Sequence, residues 1–284
     1  MRYDRFRTNL TGKVAVITGA GGVLCSVFAR ALARVGASVA LLDLNQEAAQ
    51  TVADEIIQQG GTARAYRCDV LDRNDCLKVA ERVRTELGCC DILLNGAGGN
   101  HPSATTDEEY CSTYDYDEAK RNFFNLGEEG VSFVFNLNML GTLLPTQVFA
   151  RQMLGRTGCS ILNISSMNAY TPLTKIPAYS AAKAAVTNFT QWLAVYFSKV
   201  GIRVNAIAPG FFATHQNAEL LFRPDGSPTP LTEKILAATP MGRLGDAEKE
   251  LAGAVLFLLN EEAASFITGI CLPIDGGFSA YSGV

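Results

Sequence analysis

Histidine is nearly absent from this chain. Its 284 residues hold two, His101 and His215, and neither stands at metal-ligand spacing from another donor, so no metal centre is expected. Eight cysteines are present, but none forms a C-x-x-C pair and only Cys89 and Cys90 are neighbours. That argues against a zinc ribbon or dithiol redox motif and reads as reduced, buried thiols. Positive charge is not in excess: 24 Lys and Arg face 28 Asp and Glu, a net charge of -4. With no basic stripe, nucleic acid is not an expected partner. No apolar run is expected to reach the ~20 residues of a membrane span. The first thirteen residues carry charge without the apolar core of a secretory signal, so the expected location is the cytoplasm.

What is present is a rhythm. Apolar runs suited to strands fall at 13–17, 38–42, 63–68, 91–95, 159–164, 202–207 and 270–274. Helical patterns lie between them at 23–35, 46–59, 73–87, 131–153, 178–199 and 246–260. Strand and helix alternating at this pace predict βαβ units and a parallel sheet, buried on both faces. Without linker, repeat or low-complexity tract, residues 1–284 read as one doubly wound α/β domain. Two segments interrupt the rhythm, a polar and acidic one at 99–130 and a proline-rich one at 211–239. Each follows a strand, at the sheet edge where ligands sit. The first is expected to be an inserted lid, with disorder as the alternative, and the second a substrate-binding loop region.

The first strand runs into Thr18-Gly19-Ala20-Gly21-Gly22-Val23-Leu24-Cys25. Glycines between a strand and a helix start let backbone N–H groups approach a pyrophosphate, whose charge the helix dipole favours. Asp43 ends the second strand, 24 residues after Gly19. A carboxylate there accepts hydrogen bonds from ribose hydroxyls and repels a 2′-phosphate, so NAD (NADH) is preferred over NADP. Leu44 adds no cation to the contrary. Asp69, flanked by Cys68 and Val70, is placed to receive the adenine amino group. Asn95-Gly96-Ala97-Gly98 offers a further close backbone approach.

In the second half Tyr179 and Lys183 stand four apart, on one face of a helix. Ser166 precedes Tyr179 by 13 residues, at a strand end. Asn138 sits in an apolar helical stretch where a buried amide needs a reason. In this order and spacing, with Pro209-Gly210 behind, the chain from about Leu10 onward resembles the short-chain dehydrogenase/reductase family. The resemblance implies a Rossmann domain with a seven-stranded parallel sheet in the order 3-2-1-4-5-6-7. It also implies an oxidoreductase of CH–OH groups with Asn138, Ser166, Tyr179 and Lys183 as its catalytic set. Tyr179 would be the proton donor and acceptor, Lys183 would lower its pKa, Ser166 would orient the substrate oxygen, and Asn138 would hold a water. Pro209, Gly210, Phe212 and Thr214 would clasp the nicotinamide. Family members pair as dimers or tetramers, so a homo-oligomer is expected.

Two departures stand out. Val23 and Cys25 occupy the last two glycine positions of the family's first turn. Cys25 there is either an activated thiol at a helix start or, preferably, a small residue in a glycine slot. The 43 residues from Asn95 to Asn138 also exceed the family's usual interval. Three stretches, 165–169, 172–179 and 276–284, resemble the family's D-mannonate oxidoreductase (fructuronate reductase) group. This implies a keto or hydroxy sugar acid as small-molecule substrate, with another polyol, keto-gluconate or hydroxy acid as the alternative. For such a substrate Lys175 reads as a carboxylate anchor or a solvated lysine. Asn100, His101, Asn168, Gln216 and Asn217 read as hydroxyl contacts. A non-catalytic dinucleotide-binding scaffold on the same fold is the second alternative.

Overall fold

Seven apolar runs form one parallel sheet in the order β3-β2-β1-β4-β5-β6-β7. The strands are β1 (Val14–Thr18), β2 (Ser38–Asp43), β3 (Thr62–Arg67), β4 (Ile92–Asn95), β5 (Cys159–Ile164), β6 (Ile202–Pro209) and β7 (Cys271–Ile274). The computed structural model describes residues 7–113, 120–213 and 218–283. Every residue of β1 and β4 is buried, as continuous apolar strands covered on both faces require. Edge strand β3 is more exposed and buries only Ala63 and Tyr66, one on each face of the sheet.

The helices are α1 (Val23–Arg34), α2 (Gln46–Gln58), α3 (Arg73–Glu86), α4 (Glu128–Phe135), α5 (Gly141–Met153), α6 (Pro177–Phe197), α7 (Ala218–Leu221), α8 (Pro230–Ala238), α9 (Ala252–Leu259) and α10 (Glu261–Ala264). On one face α1, α2 and α9 bury Phe28, Leu32, Ile56 and Val255. On the other, α3, α5 and α6 bury Val79, Val83, Phe149, Met153 and Leu193. Each such side chain contributes about 1.5–3 kcal/mol by leaving water. Asn45 and Asp72 cap α2 and α3 through their side chains. Helices α1 and α6 begin at Gly22 and Ile176 with no side-chain cap.

The register levels Thr18 with Asn95, and Asn95 with Asn163, at the carboxyl ends of β1, β4 and β5. The chain leaves β1 toward β2 and reaches β4 on the other side, which opens a crevice between the turns after β1 and β4.

Three expectations need correction. The helix expected at 131–153 starts at Glu128, because Gly127 caps it and Glu128 and Glu129 favour its positive end. It is also not uniform: Asn136–Leu140 form a π-helical turn between α4 and α5. The continuous stretch Glu128–Met153 is long and apolar enough, by composition, to cross a membrane, contrary to the expectation that no run reaches that length. Half of its most apolar window is buried, and the fold uses it as a core helix. The 211–239 segment is not a plain loop either. Thr229 accepts from the Thr232 N–H, Pro230 occupies the first helical position, and α8 buries Ile235.

Candidate active site

A cleft of about 960 Å³ opens along the carboxyl ends of β1 to β4. Its floor is the glycine turn. Gly19 takes φ +66°, and a Cβ there would lie 2.9 Å from the Ala97 backbone, so the turns after β1 and β4 touch. The Thr18 hydroxyl joins them, accepting from the Gly96 and Ala97 N–H groups at 3.1 and 3.2 Å. Asp43 accepts from the Gly21 N–H at 2.9 Å and the Asn45 N–H at 2.8 Å. Its carboxylate is thus fixed and still has lone pairs to offer. Asp69 is held likewise by the Leu71 N–H at 2.9 Å. The uncapped start of α1 leaves backbone N–H groups facing the cleft, a site made for an anion.

Cys25 explains how the turn survives without its usual glycines. Its buried sulfur packs where a Cβ on Gly96 would stand, only 2.1 Å away. Gly96 thus leaves the room that the Cys25 side chain fills. Burial pushes the Cys25 thiol up to about 12, against the opposing pull of Lys183, so the activated-thiol reading fails.

The far wall carries the groups expected to react. Lys183 is buried in α6 and donates from Nζ to the Ile164 carbonyl at 2.8 Å. Its Nζ lies 5.6 Å from the centre of the Tyr179 ring. Burial lowers the Lys183 pKa to about 8. Tyr179 is pushed up by burial, while the Ser166 hydroxyl beside it pulls down. The expected lowering of the phenol by Lys183 is therefore not the dominant effect: desolvation of the phenolate is stronger. Asn138 sits fully buried in the π-helical turn. Its Nδ2 donates to the carbonyls of Gly99 at 2.8 Å and Val134 at 2.7 Å, and its Oδ1 accepts from the Gly99 N–H at 3.3 Å. A Cβ on Gly98 would lie 2.6 Å from Asn138 Oδ1 and 3.1 Å from Lys183 Nζ. The turn after β4 thus lies directly on Asn138 and Lys183.

Comparison with known proteins shows the family. Residues 22–279 match the family model described as enoyl-(acyl carrier protein) reductase. A crystal structure of a Haemophilus influenzae protein with bound NAD, a candidate D-mannonate oxidoreductase, superposes with a TM-score of 0.94 at 60% identity, covering 99% of each chain. The oxidoreductase UxuB of Bacillus subtilis (strain 168) is 51% identical, covering 97% of this chain and 98% of that one. The 7alpha-hydroxysteroid dehydrogenase of Escherichia coli (strain K12) is 35% identical over 97% of each. The protein is a short-chain dehydrogenase/reductase.

As a short-chain dehydrogenase/reductase it acts on alcohol and ketone groups. Of the residues expected to meet its dinucleotide, Gly19, Gly22, Val23, Leu24, Asp43, Leu44, Cys68, Asp69, Val70, Gly96, Ala97, Gly98, Tyr179, Lys183, Gly210 and Phe212 line the cleft. Three stand back. The Gly21 N–H is taken by Asp43, and Pro209 closes β6. The Asn95 side chain turns into the core and donates to Thr146 Oγ1 at 2.9 Å and Asn163 Oδ1 at 2.8 Å. Phe133 and Leu137 also line the cleft and were not foreseen. Their signal was available: they lie four apart on the helix that leads to Asn138.

The expected substrate contacts scatter. Gln216 and Asn217 lie outside the described residues, as does Thr214, expected at the nicotinamide. Asn100 is exposed. His101 packs against Phe133 with ring centres 5.3 Å apart. Its Nδ1 accepts from the Ser103 N–H at 3.2 Å, which leaves Nε2 as the N–H donor. Asn168 is buried beside Ser166, and its Oδ1 has no hydrogen-bond partner among the described residues. Lys175 is exposed and its Nζ already donates to the Asp107 carbonyl at 2.7 Å. It does not line the cleft, and the anchor reading is set aside because its ammonium is committed elsewhere.

Proposed function

We propose that this short-chain dehydrogenase/reductase uses NAD(H) to interconvert a ketone and a secondary alcohol on a sugar acid, D-fructuronate and D-mannonate. The observation that carries the reaction type is the buried Lys183 under the Tyr179 ring, at the end of a cleft whose glycine floor a side chain would fill. The cleft residues fit a dinucleotide, with Asp43 toward the adenosine ribose, Asp69 toward adenine and the α1 start toward the pyrophosphate. Asp43 favours NAD over NADP, since a carboxylate fixed by two backbone N–H groups repels a 2′-phosphate. When bound, the nicotinamide supplies or takes the hydride. Tyr179 gives its phenolic proton to the new alcohol oxygen, a role its raised pKa suits because the proton is retained at neutral pH. Ser166 donates to the same oxygen, Lys183 steadies the phenolate, and Asn138 fixes the chain beside Lys183.

The sugar-acid assignment is supported by the 60% identity to the Haemophilus protein, and by His101 and Asn168, which offer hydroxyl contacts. Cytoplasmic location and homo-oligomeric assembly belong to the same reading. The stacked, exposed Trp192 and Tyr196 on α6 offer an apolar face for pairing. The test is loss of reduced-nicotinamide absorbance with NADH or NADPH against fructuronate, tagaturonate, 5-ketogluconate and neutral ketones. Turnover of fructuronate with NADH, lost in Tyr179→Phe, is the expected result. Turnover of neutral ketones alone discards the sugar acid, and no turnover at all moves the scaffold alternative forward.

A further inference from the structure

Tyr179 is only the third residue of α6, and α6 starts without a side-chain cap. Helix first turns have orphan N–H groups and fray when nothing ties them down. A proton-transfer residue is thus placed in the least secure turn of its helix.

The inserted segment ties down the chain just before that turn. The Lys175 carbonyl accepts from the Thr106 N–H at 2.9 Å, and Lys175 Nζ donates to the Asp107 carbonyl at 2.7 Å. The two bonds run in opposite directions across one junction. Asp107 is itself clamped. Arg121 donates to its carboxylate from Nε at 3.0 Å, from Nη2 at 2.6 Å and from its backbone N–H at 2.8 Å. The Asp107 N–H returns a bond to the Arg121 carbonyl at 2.8 Å. Lys175 is also the one described non-glycine residue in the left-handed region, with φ +69°. A lysine holds that conformation only where its surroundings over-determine it, and here the surroundings are the insertion.

We propose that Lys175 is a positioning residue through which the insertion anchors the chain entering α6 and holds Tyr179 against Ser166 and Lys183. This rests on Tyr179 being the proton-transfer residue. It gives the insertion a task in the reaction itself, beyond covering the substrate.

The test uses the full chain with Lys175→Met, Lys175→Arg and Lys175→Gly. Backbone amide exchange across 176–180 is measured together with kcat and KM for an acidic and a neutral ketone. In Lys175→Met, exchange in that turn accelerates by about tenfold or more. Its kcat falls about tenfold on both ketones, as misplacement of a reacting group predicts, while KM for NADH holds. Lys175→Arg restores most of the loss. Lys175→Gly, which suits the backbone but lacks the ammonium, behaves like Met. Arg121→Ala loosens Asp107 without touching Lys175 and should show the same kcat-only loss, which covers the case of an insoluble Lys175→Met. Unchanged exchange, a loss of melting temperature with normal kcat, or a KM rise confined to the acid overturns the proposal. Faster exchange in a protein that turns over no ketone would refute the functional reading and leave the strap standing.

Discussion

The dinucleotide cleft and the substrate side are built in opposite ways. In the cleft, recognition is made by backbone. Glycine turns touch, Thr18 bridges two of them, and Asp43 holds the Gly21 N–H from 22 residues away. On the substrate side, contacts are made by long charged side chains between distant segments. Lys175 reaches Asp107 across 68 positions, and Lys234 reaches Glu109 across 125 at 2.8 Å. Short turns at strand ends leave a local pattern in sequence. Exposed side chains meeting across the fold leave none.

The comparison can be broken most severely at the boundary between the two regions. Tyr179→Phe should lower kcat by about a hundred- to ten-thousandfold, the range for a general acid, with NADH affinity unchanged in a fluorescence titration. A variant that keeps its rate would take proton transfer away from Tyr179. Within the cleft, Asp43→Ala removes a charged hydrogen-bond partner worth ~1.5–3 kcal/mol. KM for NADH should rise about ten- to a hundredfold and NADPH should become the better cofactor. Unchanged preference in steady-state assays would mean that Asp43 serves the turn alone.

Next comes pH. Ketone reduction needs the Tyr179 proton, which burial retains, and a charged Lys183, whose pKa burial lowers to about 8. The kcat/KM for reduction should thus be level through neutrality and fall as pH rises through about 8, because Lys183 then loses its charge. A fall toward acid instead would assign the titration to another group. Gly96→Ala probes the cleft as packing: its Cβ meets Cys25 Sγ. It should cost about 1–3 kcal/mol in denaturant unfolding, and Cys25→Gly in the same chain should recover part of that. The smallest effect belongs to the substrate side. Glu109 and Lys234 are an exposed pair, so Glu109→Gln should change KM for the ketone less than about twofold. A larger change would give the two segments a stronger coupling than the geometry shows.

The strand and helix order and the positions of Asn138, Ser166, Tyr179 and Lys183 were legible because periodicity and spacing carry them. The π-helical turn around Asn138 was not, since Leu137-Asn138-Met139 reads as ordinary helix and the bond from Asn138 to Gly99 joins residues 39 positions apart. Helix α8 was hidden because the prolines at and before its start read as loop, although Pro230 stands at a helix start. The tie between Lys175 and the insertion was illegible for a different reason. The lysine's charge and its nearness to Tyr179 are visible in sequence, but its commitment to a backbone carbonyl of the insertion is not.

The most direct test is the fate of the hydride. The enzyme would be run with D-fructuronate and NADH deuterated at the transferable C4 position, and the alcohol product examined by mass spectrometry and NMR. One deuterium on the carbinol carbon of D-mannonate is the predicted result. Product without deuterium, or no product while the deuterated cofactor is bound, would contradict it.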